Sequence, residues 1–136
     1  MPVINEESHV SSVPVPVELR LDQRARVLHL SYEDGSKHAL SCEYLRVYSP
    51  SAEVRGHGPG QEVLQVGKER VGISAIEPIG NYAVRLVFDD GHSTGLYSWD
   101  LLHDLCVRHQ ACWQEYLDRL AAAGHRRRDP AAVEQD

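Results

Sequence analysis

The chain has 136 residues and a formal net charge of −6, with 42% hydrophobic and 25% charged residues. This size and composition fit a single globular domain, and no stretch approaches the roughly 18 consecutive apolar residues that a membrane-spanning helix needs. An acidic chain repels phosphate backbones, so nucleic acid is not an expected partner. Residues 1–7 lack the basic and apolar regions of a signal peptide, and we therefore expect a cytoplasmic protein without a membrane partner.

Three segments of different character divide the chain. Residues 1–16 carry three prolines without a sustained period, which predicts a flexible N-terminal lead. Residues 17–121 hold the periodic apolar patterns and are predicted to form the domain. Residues 122–136 are predicted to be a disordered tail, and the basic run at 125–128 is interpreted as a solvated part of it because acidic residues follow.

The first elements of the domain are predicted to be a hairpin and a short helix. Residues 17–22 alternate apolar and polar side chains, as a half-buried strand does, and residues 27–32 are rich in strand formers. An Asp-Gly pair then predicts a tight turn, and residues 37–40 return as the partner strand. Ser41 is expected to cap a short helix that runs to Tyr48.

The second half of the domain repeats this order after a loop. Residues 49–60 contain two Pro and three Gly and are predicted to be a mobile loop. Residues 63–66 and 71–73 are predicted to be short strands. Residues 82–88 form the clearest strand pattern, and a second Asp-Gly turn leads to the return strand at 94–97.

A long amphipathic helix is predicted to close the domain. Ser98 is a suitable N-cap, apolar residues from Leu102 to Leu120 recur at spacings of three and four, and Gly124 ends the pattern. We therefore predict an α+β fold: an antiparallel β-sheet built from two hairpin-then-helix units, with one long C-terminal helix packed on the sheet. Open edges of such a sheet would allow a homodimer.

The cysteines do not form a recognisable redox or metal motif. Their odd number argues against a disulfide framework, and no two of them are spaced as Cys-x-x-Cys. On the predicted helix, two cysteines and two histidines follow one another at intervals of three: His103, Cys106, His109 and Cys112. Each interval drifts by about 60° around the helix, so the four cannot share one metal ion. Core packing is the preferred interpretation, and a labile iron–sulfur or metal site is the alternative.

Three segments resemble a known family. LSCEYLRVYSPSAEVRGHG at 40–58, IEPIGNYAVRLVF at 76–88 and DGHSTGLYSWDLL at 90–102 are similar to the γ-butyrobetaine hydroxylase-like N-terminal domain. The resemblance extends over about residues 17–105. In that family the domain occurs alone in bacteria, precedes the iron- and 2-oxoglutarate-dependent oxygenase domain of the hydroxylase, and is appended to an iron–sulfur scaffold ATPase.

The resemblance also implies that the structural zinc site of the hydroxylase version is altered in this chain. The hydroxylase version holds a structural zinc ion through three Cys and one His. Here Ser49, Ser51 and Val54 stand at the thiolate positions, and His92 matches the histidine. Because a serine hydroxyl is a poor zinc ligand compared with a thiolate, we expect the zinc site to be lost. No cofactor is assigned, and zinc or iron at His92 is the alternative.

The oxygenase chemistry of the family is not expected either. Its iron ligands include a His-x-Asp/Glu pair, and none of the eight histidines is followed two places later by an acid. Our leading hypothesis is a non-catalytic binding or interaction module with a protein partner, accessory to iron–sulfur or metalloprotein maturation. The alternative is a metal-binding protein, or an oxidoreductase-related enzyme component, that uses His92.

A candidate binding surface surrounds the second Asp-Gly turn. A histidine on a turn most often ties the turn down by hydrogen bonds, and acting as a ligand or proton carrier is its functional alternative. The acidic residues of that turn are interpreted as solvated. The predicted sheet would place polar and aromatic side chains beside the histidine, as recognition surfaces require. This predicted surface consists of Arg46, His57, Asn81, Tyr82, Asp90, His92, Tyr97 and Trp99.

Overall fold

The computed structural model describes residues 13–56, 58 and 60–128. The first part of the predicted lead, most of the predicted tail and His57 lie outside the described residues. Within the described part of the chain, six strands and four helices follow one another as β1 (Glu18–Asp22), β2 (Val27–Ser31), β3 (Lys37–Ser41), α1 (Cys42–Val47), α2 (Ala52–Arg55), β4 (Ile73–Ile79), β5 (Ala83–Phe88), β6 (Leu96–Ser98), α3 (Trp99–Val107) and α4 (His109–Ala122).

The strands form two antiparallel three-stranded meanders, β1-β2-β3 and β4-β5-β6. Each meander passes directly into a helix that a serine caps. Ser41 Oγ accepts a hydrogen bond from Tyr44 N at 3.0 Å, and Ser98 Oγ accepts one from Leu101 N at 3.1 Å. Such caps satisfy an N–H group that the first helical turn leaves free. The α+β class and the two hairpin-then-helix units are thus confirmed, with the six strands divided between two sheets.

One buried cluster joins both sheets to the helices. Leu28 and Leu40 face each other across β2 and β3, and both belong to the same cluster as Leu86 of β5 and Leu102 of α3. Each of these four side chains is at most 1% exposed. Because burying a leucine contributes roughly 1.5–3 kcal/mol, this cluster fixes how the two sheets and α3 lie against one another.

The segment before β5 differs from its prediction. Residues 63–66 are not a strand, and β4 is longer than the predicted strand at 71–73. The loop is held by individual contacts instead: Val63 N donates to Val54 O at 2.8 Å, and the Tyr116 hydroxyl donates to Gln65 O at 2.7 Å. β4 contains Pro78, which an edge strand tolerates because one side of its backbone has no ladder partner.

The closing helix is interrupted at Arg108, which separates α3 from α4. Both parts pack against the core, α3 through Leu102 and Leu105 and α4 through Cys112. No helix among residues 13–56, 58 and 60–128 is long and apolar enough to cross a membrane.

Candidate functional site

His92 lies in the turn that follows β5. Phe88 N donates to His92 O at 2.9 Å, and His92 N donates to Asp90 Oδ1 at 3.2 Å. Both backbone groups of His92 are therefore hydrogen-bonded within the turn. The side chain points inward and is only 7% exposed. Its ring lies 6.0 Å from the ring of Phe88, centroid to centroid.

The imidazole meets two serines from the segment that follows α1. His92 Nε2 lies 2.8 Å from Ser49 Oγ and 3.2 Å from Ser51 Oγ. Ser49 is 1% exposed and Ser51 is 7% exposed. We call Ser49, Ser51 and His92 the serine–histidine cluster. Its histidine is more than 40 residues from both serines in sequence, so the cluster joins the loop after α1 to the turn after β5.

Gly95 allows this close approach. A Cβ atom at this position would overlap Ser49 Oγ and lie 3.1 Å from Pro50 Cδ. The residue is buried, so the neighbours have little room to move. Only glycine fits here without displacing the serine.

The other imidazole nitrogen faces a carboxylate. His92 Nδ1 lies 3.5 Å from Glu53 Oε1, which also accepts a 2.7 Å hydrogen bond from the Thr94 hydroxyl. The hydrogen bond from the Thr94 hydroxyl is the main cause that lowers the pKa of Glu53, and the charge of His92 lowers it further. Burial is the main cause that lowers the pKa of His92, and the nearby Arg46 guanidinium lowers it further. The lowered pKa favours the neutral ring at pH 7, and these contacts favour the form in which Nδ1 carries the proton and Nε2 accepts from Ser49.

Asp90 is the ionic centre beside the cluster. Its Oδ2 accepts from Arg46 Nε at 2.9 Å and from Lys68 Nζ at 2.8 Å. Burial alone would raise the pKa of Asp90, but the hydrogen bonds from Lys68 and His92 N and the charge of Arg46 outweigh it and lower the pKa to about 2. Arg46, 8% exposed, also donates to Gln65 Oε1 at 3.0 Å. Asp89 and Asp90 are exposed, as the interpretation of a solvated turn expects, but Asp90 is in addition held by two ion pairs.

The residues of the predicted binding surface do not form one surface, although Arg46 and Asp90 pair beside His92. Asn81, Tyr82 and Trp99 meet at one end of β5, where Trp99 Nε1 donates to Asn81 O at 2.8 Å. His92 follows the other end of β5, a strand of six residues and thus roughly 20 Å long. Tyr97 is fully buried, and its hydroxyl donates to Leu45 O.

Three of the four positions that the resemblance matches to zinc ligands meet in space. Ser49, Ser51 and His92 meet in space, and Val54 supplies only a buried apolar side chain. One imidazole and two neutral hydroxyls lack the thiolates that a closed zinc site needs, so these residues do not fit the ion.

The other candidate metal ligands, the histidines and cysteines of α3 and α4, pack in or against the core. In the described part of the chain, no three His, Cys, Asp or Glu side chains are grouped so that they could hold a metal ion. Cys106 and Cys112 are 5% and 3% exposed, which confirms the core interpretation. The rings of His103 and His109 pack against Tyr32 and Tyr44, at centroid distances of 5.4 and 4.6 Å.

Glu53 contacts His92, and His92 contacts Ser49, in the way that the acid, base and nucleophile of a hydrolase triad contact one another. The 2.8 Å distance between His92 Nε2 and Ser49 Oγ suits proton transfer, but Ser49 is 1% exposed. Almost none of the Ser49 side chain is therefore accessible to a substrate in this conformation. In this structure the arrangement links the loop after α1 to the turn after β5 by hydrogen bonds.

An open groove of about 700 Å³ lies beside this joint, between α1 and α2 on one side and α3 and α4 on the other. We call it the helix groove. Its apolar lining includes Val47, Val54, Val63 and Leu105. Sequence patterns did not indicate it, because its walls come from distant segments and its apolar residues belong to ordinary helix faces.

Solved structures similar to this chain share its fold. One, determined by NMR in solution, is 52% identical over 85% of this chain and 86% of its own, with a TM-score of 0.72. A second NMR structure is 46% identical over 86% of this chain and 91% of its own, with a TM-score of 0.73.

A third similar structure carries a family name. It is the crystal structure of a protein of unknown function from Acidithiobacillus ferrooxidans ATCC 23270, which belongs to the DUF971 family. It is 37% identical over 66% of this chain and 90% of its own, with a TM-score of 0.56. A comparison with curated proteins finds no match.

The sequence profile described as "Gamma-butyrobetaine hydroxylase-like, N-terminal" matches residues 19–103. This span contains every member of the serine–histidine cluster together with Asp90 and Gly95, and it confirms the resemblance drawn from the sequence. The chain belongs to the γ-butyrobetaine hydroxylase-like N-terminal domain family.

Proposed function

We propose that this domain is a non-catalytic binding module that holds a segment of a partner protein in the helix groove. The observation that carries the proposal is a contrast: the polar side chains of the serine–histidine cluster are hydrogen-bonded to one another, whereas the groove, whose lining includes Ser49, is open. From the domain contexts of the family, we extend the proposal to a role accessory to iron–sulfur or metalloprotein maturation.

The state of the cluster supports a structural role for its polar groups. His92 Nε2 is engaged by hydroxyls and Nδ1 faces Glu53, so both nitrogens have partners. A nucleophile or metal ligand needs access to its substrate or ion, and Ser49 is 1% exposed.

The composition of the groove supports recognition of a protein segment. Its volume is within the range of ligand pockets, about 300–1,000 Å³. Around its apolar lining stand three basic and three acidic side chains: Arg55, Arg108, Arg119, Glu62, Asp104 and Glu115. A lining of this kind suits apolar anchor residues flanked by charges of both signs.

Two valines of one loop provide a matched test. Val63 lines the groove and is 49% exposed, whereas Val66 lies outside it and is 42% exposed. Each can be changed to Asp without removing a buried side chain. The wild type, Val63→Asp and Val66→Asp are used to capture proteins from a native lysate, and each captured protein is then purified and its affinity measured by calorimetry.

The proposal predicts a partner that binds the wild type and Val66→Asp with similar affinity and binds Val63→Asp at least about tenfold more weakly. A set of captured proteins that bind all three equally would contradict a role for the groove. A metalloprotein, or a protein that assembles iron–sulfur centres, among the groove-dependent partners would support the extended proposal.

A further inference from the structure

A buried carboxylate lies at the start of α1. Glu43 occupies the first turn of this helix, where a negative charge suits the helix dipole. That role needs only a surface side chain, yet Glu43 is 4% exposed. An ionised carboxylate is costly to bury unless a cation and hydrogen bonds compensate for the lost water.

The compensating cation comes from the far end of the chain. Arg127 Nε lies 3.0 Å from Glu43 Oε1 and 2.8 Å from Oε2, and its Nη2 lies 2.6 Å from Oε1. The guanidinium carbon is 5.2 Å from the centre of the Trp113 ring. A forked carboxylate contact and an aromatic face are the two features by which proteins recognise guanidinium groups.

Arg127 reaches this place on a short strap, which we define as residues 124–128. The chain leaves α4 through Gly124, which adopts a positive φ of +81°. Arg128 N then donates to Glu69 Oε2 at 2.6 Å. The basic run interpreted as solvated tail is thus docked on two acidic side chains, although residues 124–126 are exposed.

We propose that Glu43 and Trp113 form a recognition site for an arginine side chain, which Arg127 fills within the chain and which an arginine of a partner protein takes over when the strap is released. The carboxylate and the ring belong to α1 and α4, so the site persists without the strap. Neither residue lines the helix groove. This proposal can therefore fail while the groove proposal holds, and the reverse.

The test uses the full chain and N-acetyl-arginine amide as the probe. Binding is followed through the indole N–H resonance of Trp113, assigned with Trp113→Phe. Arg127→Ala vacates the site and should bind the probe at least about tenfold more tightly than the wild type, where the tethered Arg127 competes at high effective concentration. Arg126→Ala, which removes the exposed neighbouring arginine, is the matched control and should behave as the wild type does.

Two further measurements establish the chemistry of the site. Adding Glu43→Gln to Arg127→Ala should abolish saturable binding. N-acetyl-lysine amide should bind Arg127→Ala at least about tenfold more weakly than the arginine probe, because an ammonium lacks the planar fork. If Arg127→Ala does not unfold cooperatively, Arg127→Lys replaces it. The proposal is overturned if the folded variant shows no saturable shift, if Glu43→Gln leaves binding intact, or if the wild type binds equally well.

Discussion

Two hairpins of this molecule, β2–β3 and β5–β6, turn at an Asp-Gly pair, and the two aspartates make the same local hydrogen bond. Asp34 Oδ1 accepts from Ser36 N at 2.9 Å, and Asp90 Oδ1 accepts from His92 N at 3.2 Å. Asp34 makes no ion pair among the described residues. The second carboxylate oxygen of Asp90 accepts from two basic side chains.

The comparison separates what local sequence determines from what tertiary contacts add. Both pairs form tight turns because Gly35 and Gly91 adopt positive φ angles of 91° and 92°. Only the second turn carries a histidine, and only that turn lies against the loop after α1. The second turn is therefore a joint between distant segments, and the first is a surface connection.

The largest effect is expected where the joint is tightest. Gly95→Ala would push a methyl group onto Ser49 Oγ and should lower the free energy of unfolding by about 3 kcal/mol, the upper end for overpacking a core. Urea denaturation measures it. Ala39, which also lies five residues after its aspartate and is exposed, gives the reciprocal control: Ala39→Gly should cost less than about 1 kcal/mol.

A double-mutant cycle identifies the cause of that loss. Ser49→Ala removes the oxygen that the new methyl group would meet, so the two changes together should cost less than the sum of their separate effects. Strict additivity would show that Gly95 is needed for another reason.

The next effect distinguishes the two aspartates. Asp90→Ala leaves Arg46 without its carboxylate and should cost about 2 kcal/mol at pH 7, less than the 3–5 kcal/mol of a fully buried pair because the Asp90 side chain is 22% exposed. Asp34→Ala removes only a local turn contact and should cost much less. Equal losses in thermal or urea unfolding would mean that the tertiary pairs of Asp90 contribute nothing.

A smaller effect depends on pH. Because the pKa of His92 is lowered, mainly by burial, the folded chain binds a proton there less readily than the unfolded chain. The contribution of the neutral ring is complete above the unfolded pKa of about 6.5 and is lost as pH falls through the window below it. The free energy of unfolding should therefore fall more steeply from pH 7 to pH 5 in the wild type than in His92→Gln. His109, whose pKa is also lowered, is present in both proteins and cancels.

The smallest effect separates the two hydroxyls. Ser49 Oγ is 2.8 Å from His92 Nε2 and Ser51 Oγ is 3.2 Å from it. Ser49→Ala should cost about 1 kcal/mol, the net value of a typical hydrogen bond, and Ser51→Ala about half of that. The reverse order in denaturant unfolding would mean that His92 pairs chiefly with Ser51.

Local signals explain how much of the fold the sequence predicts. The Asp-Gly turns and the caps at Ser41 and Ser98 depend on neighbouring residues, and the structure contains all of them. β4 was largely missed because Pro78 interrupts its pattern and only its edge position makes the proline acceptable. The break at Arg108 was missed because the apolar spacing continues through it.

The candidate site depends more on distant contacts. The meeting of Ser49, Ser51 and His92 was anticipated only through the family resemblance, since no local pattern links residues more than 40 positions apart. The docking of Arg127 was missed for the same reason: its carboxylate partner is 84 residues away. A basic run in an otherwise polar tail gives no sign of a buried acid elsewhere.

The central claim, that His92 is a closed structural joint and neither a metal ligand nor a catalytic base, is tested most directly by the ¹⁵N resonances of its ring, recorded at pH 7 before and after treatment with EDTA. We expect a neutral imidazole with the proton on Nδ1, a hydrogen-bonded Nε2 and no change on chelation. An Nε2 resonance that moves when EDTA removes an ion, or a ring that is protonated at pH 7, would contradict the claim.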